Sequence, residues 1–77
     1  MKVTKIRGGM DYMDVYFGDR VVRIYGELLV DGFVGFKDAI VKWKIPDGEP
    51  ISDSEREEII EAVLDDVKDC EMKIVFE

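Results

Sequence analysis

The sequence contains no histidine, a single cysteine and two prolines in 77 residues. Without histidine, the chain lacks the commonest general base near neutral pH and the commonest metal ligand. A Ser-His or Cys-His nucleophile pair is therefore excluded within this chain, although chemistry by lysine, carboxylate or tyrosine side chains stays open. The lone Cys70 also excludes an internal disulfide. We expect no catalytic site, no bound metal and no cofactor.

Long apolar runs are missing as well, since none exceeds three residues. A membrane-spanning segment is therefore not expected, and residues 1–5 contain no stretch typical of a signal peptide. We expect a cytoplasmic protein without a membrane partner. The length predicts one domain over residues 1–77 that buries roughly 60–65% of its unfolded surface. So thin a core leaves little room for a substrate cavity, and function should lie on a face.

The net charge of −7 is confined to one part of the chain. Residues 1–50 carry eight basic and eight acidic side chains, whereas residues 51–77 carry three basic and ten acidic ones. A nucleic-acid-binding face normally has a positive charge. The balance therefore favours a basic protein partner and argues against nucleic acid.

The amino-terminal part of the chain predicts a β-meander. Strands are expected at residues 2–7, 10–17 and 20–25. Gly18-Asp19, between the last two, suits a type II′ hairpin. On the second strand, Tyr12 and Tyr16 should share one face, with Met13 and Val15 on the other. Gly26 should end the third strand.

A second hairpin is predicted at Asp31-Gly32, a dipeptide that favours a type I′ turn. The following segment, 37–45, is ambiguous between strand and helical turn, and we favour a strand. Two prolines and a glycine in residues 45–50 indicate a turn.

A helix is predicted from about Asp53 to Asp69. Ser52 and Glu55 form a capping box, in which the hydroxyl and the carboxylate each accept from a free backbone N–H. An apolar stripe recurs at steps of three and four residues, and its central positions, Leu64 among them, should be fully buried: Ile59, Ile60, Val63, Leu64 and Val67. Residues 72–76 should form a last strand. The fold class is α+β, a mainly antiparallel sheet of five to six strands with one helix packed on a face.

An acidic ridge is predicted opposite that apolar stripe, at about 100° per residue. It consists of Glu58, Glu61, Asp65 and Asp69. Like charges four residues apart cost a few tenths of a kcal/mol per pair, and carboxylates near a helix carboxy terminus oppose the macrodipole. Locally unfavourable charge can mark a binding surface, although acidic helix faces often serve only solubility. We predict that the ridge contacts the partner.

Three other features have structural interpretations that we favour over functional ones. Tyrosines and arginines on the first hairpin could stack bases, but they also cover ordinary sheet faces; they are Tyr12, Tyr16, Arg20, Arg23 and Tyr25. Trp43 is expected in or beside the core, though a tryptophan can anchor an interface. Cys70 is expected to be a small buried side chain rather than a reactive thiol.

Three features recur together in a known family: the stretch 22–27, the spacing from Trp43 to Pro46, and residues 49–52 leading into Glu55-Arg56 and Ile59-Ile60. Through them, roughly residues 20–77 resemble small immunity proteins of bacterial polymorphic toxin systems. The resemblance implies a non-catalytic cytosolic inhibitor that binds one cognate toxin domain. Many such toxins are nucleases with basic clefts, which an acidic ridge could occupy as a phosphate mimic.

Two alternatives stay open beside this one. The chain could be an accessory or subunit domain of a larger assembly, with the acidic face used for solubility alone. A small enzyme is the least favoured, because no glycine-rich cofactor loop or acid–base pair is evident. The oligomeric state is not indicated by the sequence.

Overall fold

The computed structural model describes residues 1–70 and 73–77, and these form five strands, one α-helix and one 3-10 turn. The strands are β1 (Lys5–Gly8), β2 (Tyr12–Phe17), β3 (Arg20–Leu29), β4 (Gly32–Gly35) and β5 (Lys73–Phe76). The helix α1 spans Asp53–Val67, and the 3-10 turn spans Lys37–Ala39. The strand order is β1-β2-β3-β4-β5, with β5 parallel to β4 and the other pairs antiparallel. The predicted α+β class is confirmed.

The core lies between α1 and one face of the sheet. Its largest fully buried side chains are Trp43, Ile24, Ile40, Ile59, Val15, Val22 and Val63. Along β2, Met13 and Val15 face the helix, while Tyr12 and Tyr16 lie on the opposite, outer face, as the alternation predicts. The core position expected for Trp43 is confirmed.

The first hairpin and the helix start are confirmed. Gly18-Asp19 is the two-residue connection between the paired Phe17 and Arg20, and Gly18 has the positive φ (68°) that a type II′ turn needs at that place. Ser52 and Glu55 form both hydrogen bonds of the capping box.

The second hairpin differs from the prediction by one residue. Its connection is Val30-Asp31, because Leu29 pairs with Gly32, and Gly32 has no positive φ. The type I′ expectation was therefore wrong. Gly32 is needed for another reason: a Cβ there would overlap the Lys73 carbonyl of β5. The close approach of two backbones, rather than the turn, explains this glycine.

Gly26 does not end β3, which continues to Leu29. A Cβ at Gly26 would overlap the Phe33 ring and the Val34 carbonyl of β4. The glycine thus lets a neighbouring aromatic side chain lie over the strand.

The favoured strand over 37–45 was wrong. After the 3-10 turn, the chain folds onto the turn that follows it: Trp43 N–H donates to the Glu49 carbonyl at 2.8 Å, and Ile51 N–H to the Val41 carbonyl at 3.0 Å. Instead of a ladder, the segment forms an isolated antiparallel bridge between Ile45 and Val21 of β3. The step from Ile40 to Trp43 still puts both side chains in the core.

Two burial predictions at the end of the helix were also wrong. Leu64 is 41% exposed, because it lies about 140° around the helix from Ile59 and so at the edge of the apolar stripe. Cys70 is exposed beyond the last turn. The last predicted strand is observed from Lys73, and its residue 72 lies outside the described residues.

Candidate protein-binding surface

The helix displays the predicted acidic ridge on its outer side. Glu58, Glu61 and Asp65 are exposed on α1, opposite the buried Ile59 and Val63, and Asp69 is exposed in the turn that follows the helix. The arrangement follows from the period of the helix, since the apolar positions fix which side faces the sheet.

The cations of the helix and its C-cap neutralise only one ridge residue, Asp65. Arg56 pairs with Asp53 at 2.8 Å, and Lys68 pairs with Asp65 at 3.1 Å, both within α1 or its last turn. Among the residues that the structure describes, Glu58, Glu61 and Asp69 make no ion pair. These three carboxylates therefore remain hydrated and available to an external cation.

The outer face of the sheet contains a charge cluster that the sequence interpretation missed. Asp14 is only 5% exposed, and both its oxygens accept from Arg23, at 2.8 and 2.9 Å. Lys44, from the segment after the 3-10 turn, donates to the same carboxylate at 3.1 Å. The hairpin register could have revealed the first pair, because a turn at 18–19 places residue 14 opposite residue 23.

The interactions in this cluster shift the pKa values of both Asp14 and Arg23. Hydrogen bonding from Arg23 is the main cause that lowers the pKa of Asp14, and Lys44 adds to it, whereas burial acts in the opposite direction. The Arg23 pKa is raised, chiefly by the hydrogen bond to Asp14. The ionised pair is thus the stable form in the fold.

The aromatic and cationic side chains of the hairpin face contact each other. The Arg23 guanidinium lies 3.9 Å from the centre of the Tyr12 ring, and the Lys5 ammonium lies 5.7 Å from that of Tyr16. Tyr25 is 50% exposed at the open end of this face. The structure thus brings Tyr12 and Arg23 together around Asp14 and leaves Tyr25 at the rim.

Trp43 lies beneath Arg20, whose guanidinium is 5.0 Å from the ring centre and also pairs with Glu49 at 3.2 Å. The ring makes an edge-to-face contact with Phe17. With 1% of its surface exposed, Trp43 cannot anchor a partner without local opening. Its indole N–H has no acceptor within the described part of the chain.

Metal ligands do not cluster in the described ranges, where no group of three Asp, Glu, His or Cys side chains could hold an ion. Over the same ranges, no helix is long and apolar enough to cross a membrane. The described surface presents exposed carboxylates, paired cations and aromatic rings, and all of these groups can contact another molecule.

No curated protein and no solved structure matches the chain. The model of the family described as Immunity protein 74 matches residues 5–77, which include every strand and the helix. The chain belongs to the Immunity protein 74 family.

Proposed function

We propose that this chain is a non-catalytic inhibitor that neutralises a cognate bacterial toxin domain by binding it. The name of its family supports an immunity role. In this proposal the chain acts in the cytoplasm, as part of a polymorphic toxin system, and the acidic ridge on α1 contacts a basic surface of the toxin.

The observation that carries the proposal is that the ridge is exposed and that, of its four carboxylates, only Asp65 has an ion-pair partner in the described structure. Paired carboxylates would have to exchange one partner for another, but Glu58, Glu61 and Asp69 are exposed and unpaired in the described structure. Ion pairs formed with a basic partner are therefore gained without loss of internal ones.

The negative charge clustered on the ridge should affect the rate of association with the toxin more than the rate of dissociation. A surface of one sign raises the rate at which an oppositely charged partner arrives, by about 10- to 1,000-fold at low salt. If the toxin is a nuclease, its basic cleft is a suitable target, because carboxylates can occupy positions that phosphates would take. Rapid, tight capture is what an inhibitor of a toxic enzyme requires.

Replacement of the four ridge residues by lysine tests the proposal. The variant and wild type are compared for protection of cells that express the toxin encoded by the neighbouring gene, and for binding to that toxin by surface plasmon resonance at two ionic strengths. We expect the variant to lose protection and to associate at least about 10-fold more slowly at low salt. Wild-type affinity should fall as salt rises.

A second quadruple variant makes the comparison specific. Lysine at Glu27, Asp31, Asp38 and Asp47 changes the net charge equally but alters exposed acids outside the helix. This control should associate faster than the ridge variant and still protect. Equal protection by wild type and ridge variant would refute the ridge as the binding surface. Absence of any complex between wild type and toxin would instead favour the accessory-domain alternative.

A further inference from the structure

An apolar groove opens between the last two turns of α1 and the inner face of the sheet. It encloses about 270 Å³. The side chains that form it are Ile6, Met13, Leu28, Phe33, Val67 and Ile74, with Gly8 and Gly9 along one wall. It forms where the inner face of the sheet continues past the end of α1 and is not covered by any of the residues that the structure describes.

Exposed apolar side chains adjoin this groove. Leu28 is 47% exposed, and Met10, whose carbonyl accepts from the Leu28 N–H at 3.3 Å, is 84% exposed. Single exposed apolar residues are ordinary, but a cluster beside an apolar groove is typical of an interaction site.

The charges around the groove indicate what could occupy it. Asp66 lines the groove, and Asp69 follows in the turn after α1, whereas Asp65 at the same end is already paired with Lys68. The carboxy-terminal end of a helix dipole adds further negative potential. An apolar group that enters the groove would therefore bind most favourably if its own chain also carries a cation nearby. The volume lies below the roughly 300 Å³ at which sites for drug-sized ligands begin, so it suits a side chain rather than a whole small molecule.

We propose that this groove receives one large apolar side chain of the toxin, from a segment that also carries lysine or arginine. The inference rests on the proposed function and extends the ridge interface to its apolar centre. Buried apolar or aromatic anchors surrounded by polar contacts supply most of the affinity in protein complexes. The ridge then governs arrival, and the groove governs how long the complex lasts.

Filling the groove tests the inference. Gly8 lines it, no atom lies within 4 Å of a Cβ built there, and its φ is not positive. Gly8→Phe should place a ring in the groove, whereas Gly8→Ala imposes a similar backbone restriction and leaves the groove open. Both variants are first checked for an unchanged circular dichroism spectrum and Trp43 fluorescence, then measured against the toxin encoded by the neighbouring gene.

We expect Gly8→Phe to raise Kd about 30- to 100-fold, mainly through faster dissociation. Gly8→Ala should stay within about threefold of wild type, since it occupies little of the groove. Truncation gives an independent second variant: Leu28→Ser should weaken binding about 10-fold, whereas Val41→Ser, at a similarly exposed residue far from the groove, should not.

The kinetics separate this inference from the ridge proposal. Suppose that the ridge variant associates slowly, while Gly8→Phe and Leu28→Ser dissociate from the toxin at the wild-type rate. That result would refute binding in the groove and leave the proposed function intact. Failure of wild type to bind the toxin would overturn both.

Discussion

Asp14 is expected to hold the outer face of the sheet to the segment that follows the 3-10 turn. It accepts hydrogen bonds from Arg23 on β3 and from Lys44, next to the buried Trp43. Asp14→Asn keeps the size and one acceptor oxygen but removes the charge. The substitution therefore tests the ion pairs rather than the packing.

The magnitude follows from how well the two cations can be hydrated afterwards. A hydrogen bond to a charged group contributes about 1.5–3 kcal/mol. The side chains of Arg23 and Lys44 are 30% and 42% exposed, so water can replace part of the lost interaction. We expect Asp14→Asn to lower the free energy of unfolding by about 1–3 kcal/mol at pH 7, less than the loss of one partner in a fully buried pair.

The effect of Asp14→Asn on the free energy of unfolding should depend on pH, and the pKa of Asp14 determines the direction of that dependence. The pKa of Asp14 is lower in the folded state than in the unfolded chain, where it is about 3.9. Its contribution to stability is therefore fully present above the unfolded pKa and is lost as pH falls through the folded one. The stability difference between wild type and Asp14→Asn should be constant from about pH 7 to pH 5 and shrink below about pH 4.

Urea titrations at pH 7, 5, 4 and 3 measure this difference directly. Glu27→Gln is the control, an exposed acid on the same face of the neighbouring strand that makes no ion pair in the described structure. Its effect should stay within about 0.5 kcal/mol. A difference between wild type and Asp14→Asn that does not change with pH, or is below about 0.5 kcal/mol at pH 7, would refute the reasoning.

Two further predictions concern the helix, and urea titration checks both. Ile59→Ala should lower the free energy of unfolding by about 2–5 kcal/mol because Ile59 is fully buried. Leu64→Ala should lower it by roughly 1 kcal/mol because Leu64 is partly in water. Equal losses would mean that the inward face of the helix is misassigned. Ser52→Ala should cost about 1 kcal/mol through the lost hydrogen bond to the Glu55 N–H. Ser54→Ala, two residues later and exposed, should change stability much less, and a reversed order would contradict the role of the cap.

Local chemistry in the sequence was enough to predict the elements with strong signals. Gly18 followed by Asp19 between two apolar runs, and Ser52 three residues before Glu55, each specify a conformation through atoms close in sequence. The apolar stripe also determined which side of α1 faces outward. These features need no knowledge of distant segments, so their prediction succeeded.

The incorrect predictions concern positions that distant contacts determine. Gly26 and Gly32 were interpreted as breaker and turn residues, but each makes room for a neighbouring strand. Leu64 fits the helical period, yet no element of the described structure covers that edge of α1 enough to bury it. Asp14 was not selected because a single carboxylate within a strand has no local signature. Only the pairing register, together with Lys44 from 30 residues away, reveals its role.

The two surfaces of this protein differ in how their charges are satisfied, and this difference favours the helix as the binding side. On the sheet, Arg23 and Lys44 already bind Asp14, so a partner that recruited them would first have to break those bonds. Tyr25 could contact a partner there, but Trp43 is too deeply buried to join it. On the helix side, Glu58, Glu61 and Asp69 make no ion pair in the described structure, so they lose only hydration when a cation arrives. For the same number of ion pairs, binding at the ridge should therefore yield more favourable free energy than binding at the sheet.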